Sequence, residues 1–358
     1  MKFYTPVEID ELPVKLSPGE KVMTLGSCFS DSMASRLRDA GFDVCANPFG
    51  TLYNPASICS AVLRLDGGSA ISTGGAPCGN QVITAGGAPL FYGADDCVKM
   101  GAGADLWCSF EHHTSFARAT KEEFLEAANS ALESACEFWK VCHKIVITLG
   151  TAFVWRHEVS DGSKNLLNAY ISGNETKLHR ILTILFCADY SKKVVSNCLK
   201  IPSKEFDYEM LKLDEISSLL DWLVSAHPDK EFIFTVSPIR HLGKVDARLP
   251  ACGPASAFPQ GAQANTLSKS ALHLAVAETC AAHPSRACCF PAFEILCDEL
   301  RDYRFYADDL VHPSSAAAGY IWERFVQAAV PAAAHEAVRA NEKAARQSAH
   351  RPNLLGKH

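Results

Sequence analysis

Three observations predict an open, mostly parallel α/β sheet with helices on both faces. Short apolar runs alternate about five times with segments whose apolar residues recur every three to four positions. Several runs stop at a glycine or serine just before a helix begins, as parallel strands do at a ligand crevice. No internal repeat points to a solenoid or propeller.

The elements follow in order. Lys21 to Leu25 reads as a strand ending at Gly26-Ser27, and Phe29, Met33, Leu37 and Ala40 then recur at helical spacing up to Gly41, a helix stop. Phe42 to Ala46 is a second strand, closed by the turn-rich Asn47-Pro48-Phe49-Gly50. Residues 64–105 are rich in Gly, Ala and Ser and read as an insertion. Thr120 and Glu123 form a capping box opening a helix with Phe124, Ala128, Leu132, Ala135 and Trp139 on one face. Lys144 to Leu149 is a buried strand ending at Gly150-Thr151, and 157–190 carries no clear period. Glu205 to Val224 is expected as one amphipathic helix, Glu231 to Val236 as a strand closed by Ser237-Pro238, Thr266 to Ala282 as a helix and Ala287 to Phe290 as the last strand. Ser314 or Ser315 can cap a helix carrying Tyr320, Ile321, Phe325 and Val326. The expected organisation is one domain over 1–330 and a helical C-terminal tail over 331–358.

Composition narrows the function. The 358 residues are 48% hydrophobic and 21% charged, enough for a large core. Forty acidic against 34 basic residues give a net charge of -6, which argues against nucleic acid bound through a global positive field. No stretch reaches the roughly 18 uninterrupted apolar residues of a membrane helix, so no membrane partner is expected. Met1 to Glu8 has no apolar export core. With that, 15 cysteines, several in apolar patterns (Cys136, Cys142, Cys187, Cys280), read as reduced thiols in the cytoplasm. Without a CxxC pair no structural zinc is expected.

Three strand ends or loops carry candidate chemistry. In Leu25-Gly26-Ser27-Cys28-Phe29 the helix N-terminus offers amides to a developing oxyanion, although Ser27 taken alone reads as an N-cap. In Asp308-Asp309-Leu310-Val311-His312-Pro313-Ser314, Asp309 can curl back onto one ring nitrogen of His312 and leave the other as a base. Gly150, after the strand 144–149, would let a ligand approach the backbone. Together they make a nucleophile, orienter and base in the order Ser27, Asp309, His312. Cys28 is a second possible nucleophile but is expected to point inward and pack. Glu111-His112-His113 could line the pocket, with metal binding a weak reading. Arg240-His241 could meet an anionic substrate group or be a solvated pair, and Arg301, Asp302 and Arg304 are expected to support the Asp309–His312 loop.

These motifs resemble the SGNH (GDSL-like) hydrolases and, within them, the GSCFA domain family. Gly26-Ser27-Cys28-Phe29-Ser30 is similar to that family's signature, with Ser30 where alanine is usual. Asn47 to Thr51 with Tyr53-Asn54-Pro55, Thr148 to Ala152, Val195 to Cys198, Val236 to Pro238 with Arg240-His241, and Glu299 to Tyr306 look like the same family. The resemblance implies a flavodoxin-like sheet, Ser27 as nucleophile, Asp309 and His312 as orienter and base, and an oxyanion hole from the Ser27, Gly50 and Gly150 amides. Ala152 stands where the superfamily usually has an asparagine, and losing one such donor costs on the order of 3 kcal/mol. Thr151, Asn54 and Asn197 are the candidate replacements, Asn197 first. Leu199 stands where a histidine is expected.

The expected function is hydrolysis or transfer of an acyl group on a small-molecule or carbohydrate ester, through an acyl-serine, a chemistry that requires no metal or organic cofactor. Thr151, Asn54, Arg240 and His241 are the expected substrate contacts. The alternative, motivated by Ala152, is a non-catalytic glycan- or metabolite-binding protein on the same scaffold.

Overall fold

A computed structural model describes residues 4–66, 91–159, 176–242 and 261–349. Five parallel strands form the central sheet: β1 (Lys21–Gly26), β2 (Asp43–Ala46), β5 (Lys144–Leu149), β9 (Glu231–Val236) and β10 (Ala287–Cys289). Their order is β2-β1-β5-β9-β10. The connection from β2 jumps over β1 to β5, so the topological switch lies between β1 and β5, where open α/β sheets keep their ligand crevice. The open parallel sheet expected from the sequence is therefore the fold.

Both faces are covered, which is why β1, β5 and β9 are near-continuous apolar runs rather than alternating ones. Ile145, Ile147, Leu149, Phe232, Phe234 and Val236 face one core, lined by α2 (Pro55–Leu65), α3 (Lys121–Val141), α4 (Thr176–Leu185), α5 (Leu213–Ser225) and α6 (Ala262–Ala282). Val22, Val146 and Ile233 face the other, under α1 (Cys28–Asp39), α7 (Ser315–Ala329) and α8 (His335–Ala349). The Thr120–Glu123 capping box forms as expected, Ser314 Oγ caps α7 through the Ala317 amide, and Gly41, with φ +93°, ends α1. The final helix packs against the domain: Asn341 Nδ2 donates to the Ala40 carbonyl and Trp322 Nε1 to Glu342.

The sequence did not signal a second sheet. β6 (Phe153–Glu158) pairs antiparallel with β7 (Lys192–Val195) on one side and β8 (Asp207–Met210) on the other. This corrects the single helix expected over 205–224. Its first turn is instead β8, and α5 begins at Leu213. The four-residue spacing of Phe206 and Met210 mimics a helix, but the open edge of β6 recruits the segment, with Tyr208 4.4 Å from Trp155 and stacked on Phe153. Of the expected insertion at 64–105, residues 67–90 lie outside the described residues. Residues 64–66 complete and cap α2, while β3 (Val98–Lys99) pairs with β4 (Trp107–Cys108).

Candidate active site

The carboxyl ends of β1 and β5 meet two loops there. After β2, Asn47 adopts φ +41° and accepts from the Gly26 amide while donating to Asp31 on α1. The Leu52 amide donates to the Gly26 carbonyl, and the Tyr53 carbonyl accepts from both Gly150 and Thr151. The loop thus closes over the switch point. Gly26 is required there: at φ +144° an added Cβ would sit 2.2 Å from the Thr148 carbonyl oxygen.

The second loop carries Asp309 and His312. Leu310 at φ +57° turns the chain so that Asp309 Oδ1 accepts the Val311 and His312 amides. Asp309 Oδ2 lies 2.6 Å from His312 Nδ1. The two backbone bonds and the histidine hold this exposed carboxyl down at about 2. Asp309 is therefore an anion at neutral pH, fixing the Nδ1–H tautomer. Arg240 anchors the loop, its amide donating to Val311 and its guanidinium to Leu310. Asp302 caps the turn at 303–305 and pairs with Arg304, and Arg301 ends the preceding helix in a left-handed conformation.

The residues at the β1–α1 junction exchange their expected orientations. Ser27 is wholly buried and its Oγ has no hydrogen-bond partner. Cys28, expected to pack inward, is only half-buried, with Sγ 3.4 Å from His312 Nε2. The cause is local: Ser27 is the extended N-cap and Cys28 the first helical residue, so their side chains leave the junction in different directions. Burial raises the Cys28 thiol, against a smaller downward pull from the Cys28 and Phe29 amides and Lys269.

The expected oxyanion donors are largely engaged. The Ser27 amide donates to Thr148, Gly50 to Asn47 and Gly150 to Tyr53. Asn197 lies at the end of β7 in the small sheet, where Oδ1 accepts from Leu199, itself buried at φ +52°. Asn54 caps α2 by accepting from Ser57 and follows Tyr53 directly, so it stands nearer the switch point in the chain's path. Thr151 Oγ1 pairs with Ser268, and Ser268 Oγ accepts the Ala152 amide.

His241 does reach the site. Its Nε2 is buried without a partner and lies 3.1 Å from where a Cβ on Gly150 would stand, while Ser27 Cβ is 3.4 Å from that point. Burial, then Lys269 and His312, push its pKa down to about 4, so it is neutral at physiological pH. Glu111-His112-His113 splits three ways. Glu111 is paired with Arg64 and Lys193, His112 is buried against Ser109, and His113 packs over Gly50. Among the described residues no three His, Cys, Asp or Glu side chains gather as a metal site.

Lys269 was missed. Its buried ammonium donates to the Gly150 and Ser237 carbonyls at 2.7 Å, tying together the ends of β5 and β9. Burial brings its pKa down to about 7. A signal existed: Lys269 is in helical register with the buried Leu272, Val276 and Thr279.

No helix among the described residues is long and apolar enough to cross a membrane. Comparison with curated proteins and with solved structures finds no match. The GSCFA family profile matches residues 21–75, 87–172 and 182–325, spanning both loops of the site and all five strands of the central sheet. The chain belongs to the GSCFA family.

Proposed function

We propose that the chain is a hydrolase or acyltransferase acting on an ester, built on an SGNH-type scaffold. One observation carries this reading: an Asp309–His312 pair at 2.6 Å whose second nitrogen faces a potential nucleophile at the β1–α1 junction, 3.4 Å away. His312 Nε2 takes the nucleophile's proton as the nucleophile attacks the ester carbonyl. It returns that proton to the departing alcohol, and water or an acceptor hydroxyl then releases the acyl group. The Cys28 and Phe29 amides at the start of α1 are the donors offered to the developing oxyanion. A small-molecule or carbohydrate ester suits this open site, where His312 is 46% exposed. The 13 described cysteines are unpaired, in keeping with a reducing, cytoplasmic setting.

A second reading, a binding protein without turnover, draws on the engaged amides of Gly50 and Gly150. Hydrolysis of p-nitrophenyl acetate and butyrate by wild type, Asp309→Asn and His312→Ala separates the two. Turnover lost in both variants supports acyl transfer. No turnover in the wild type, with glycan or metabolite binding by thermal shift, supports the binding protein.

A further inference from the structure

We infer that the attacking atom is Cys28 Sγ rather than Ser27 Oγ, so that the covalent intermediate is a thioester. The inference rests on the acyl-transfer reading above. Its first support is connectivity. Asp309 Oδ2, His312 Nδ1, His312 Nε2 and Cys28 Sγ form one chain with links of 2.6 and 3.4 Å, the second being ordinary for a bond to sulfur. Ser27 Oγ has no hydrogen-bond partner and no exposure, so it neither touches the base nor meets substrate from outside.

The second support is the electrostatic setting. Cys28 is the first residue of a 12-residue helix, and its own amide and that of Phe29 act on the thiol. Burial nevertheless keeps the sulfur protonated at rest. A protonated thiol is a poor nucleophile and needs a base at the moment of attack. His312 is positioned for that role.

The third support is a buried polar atom of the same site. His241 Nε2 is buried and unpartnered, and it lies 3.1 Å from where a Cβ on Gly150 would stand. Unmet polar atoms of this kind are expensive in an interior unless a ligand meets them. His241 Nε2 suits a polar group of the substrate held next to the reacting carbonyl.

The step balances. The Cys28 S–H bond breaks and its proton passes to His312 Nε2 as the sulfur–carbon bond forms. The carbon–oxygen bond to the alcohol then breaks, and the alcohol leaves with the His312 proton. Water next gives a proton to His312 and its oxygen to the acyl carbon. The sulfur–carbon electron pair returns to sulfur, which recovers its proton.

The test uses the full chain with p-nitrophenyl acetate, quenched in acid and read by peptide mass spectrometry. The expected result is acetyl on Cys28, released by neutral hydroxylamine. The adduct persists in Ser27→Ala, and in Cys28→Ser it becomes a hydroxylamine-stable ester. Turnover in Cys28→Ala falls at least about 100-fold. Iodoacetamide alkylation, which needs no substrate, should modify Cys28 faster than the similarly half-buried Cys45 and Cys97, with the difference lost in His312→Ala. Acetyl on Ser27 overturns the inference, as does turnover that survives Cys28→Ala but not His312→Ala. Both outcomes leave acyl transfer standing. Turnover indifferent to His312→Ala removes acyl transfer as well. If no ester is turned over, Cys28 alkylation no faster than at Cys45 overturns the inference.

Discussion

Buried polar groups occupy both edges of the central sheet. At the amino edge, Asp66 accepts from Trp139 Nε1 at 2.9 Å and from His227 Nε2 at 3.1 Å, and His227 Nδ1 lies 2.6 Å from the Leu223 carbonyl. Both ring nitrogens thus face acceptors, an arrangement that favours the protonated ring. Lys230 completes the group by donating to the Trp139 and Cys142 carbonyls. At the carboxyl edge, Ser27 Oγ and His241 Nε2 have no partner at all. The amino edge is a closed network that holds helices to strands. The carboxyl edge bonds Lys269 in the same way but leaves His241 Nε2 unfilled, as expected where a ligand supplies the missing partner.

The largest effect should come from breaking the closed network. Asp66→Asn leaves His227 without its counter-charge and should lower stability by about 3–5 kcal/mol in urea unfolding. The same pair sets a pH dependence. Asp66 and the Leu223 carbonyl raise the His227 pKa despite burial. Its stabilisation is thus complete below about 6.5, the unfolded value, and is lost as pH rises through the higher folded value. The urea midpoint should decline over that window in wild type, and less steeply in Asp66→Asn.

Next comes the open edge. His312→Ala should leave the unfolding midpoint nearly unchanged and reduce p-nitrophenyl acetate turnover by at least about 100-fold, roughly 2.7 kcal/mol of barrier. A loss of stability instead of turnover would erase the contrast between the two edges. Gly150→Ala tests the same edge by crowding. Its methyl would meet the Tyr53 carbonyl oxygen at 2.9 Å and His241 Nε2 at 3.1 Å. About 1–3 kcal/mol of stability should be lost, together with turnover. The smallest effect belongs to neither edge. Thr120→Ala removes the α3 cap and should lower stability by about 1 kcal/mol with turnover intact.

Some of the fold was plain in the chain. β5 and β9 fall on Lys144–Leu149 and Glu231–Val236, as expected, because a strand covered on both faces must be apolar throughout and stands out from its neighbours. β8 was not legible, since Phe206 to Met210 fits a helical period and only the open edge of β6 makes it a strand. At the site, the spacing of Asp309 and His312 was enough to foresee their contact, because three residues and one tight turn span it. Neither Lys269 nor the Asn47 clamp was foreseen, since each acts on backbone atoms more than 20 residues away.

The sequence by itself determined the parallel sheet, its glycine-bearing strand ends and the Asp309–His312 pair, all products of local period or short-range geometry. Only the tertiary structure decided which of Ser27 and Cys28 meets His312. Those residues are adjacent in the chain, but their side chains diverge where strand becomes helix. The choice between them depends on where a loop 284 residues farther along comes to rest against α1.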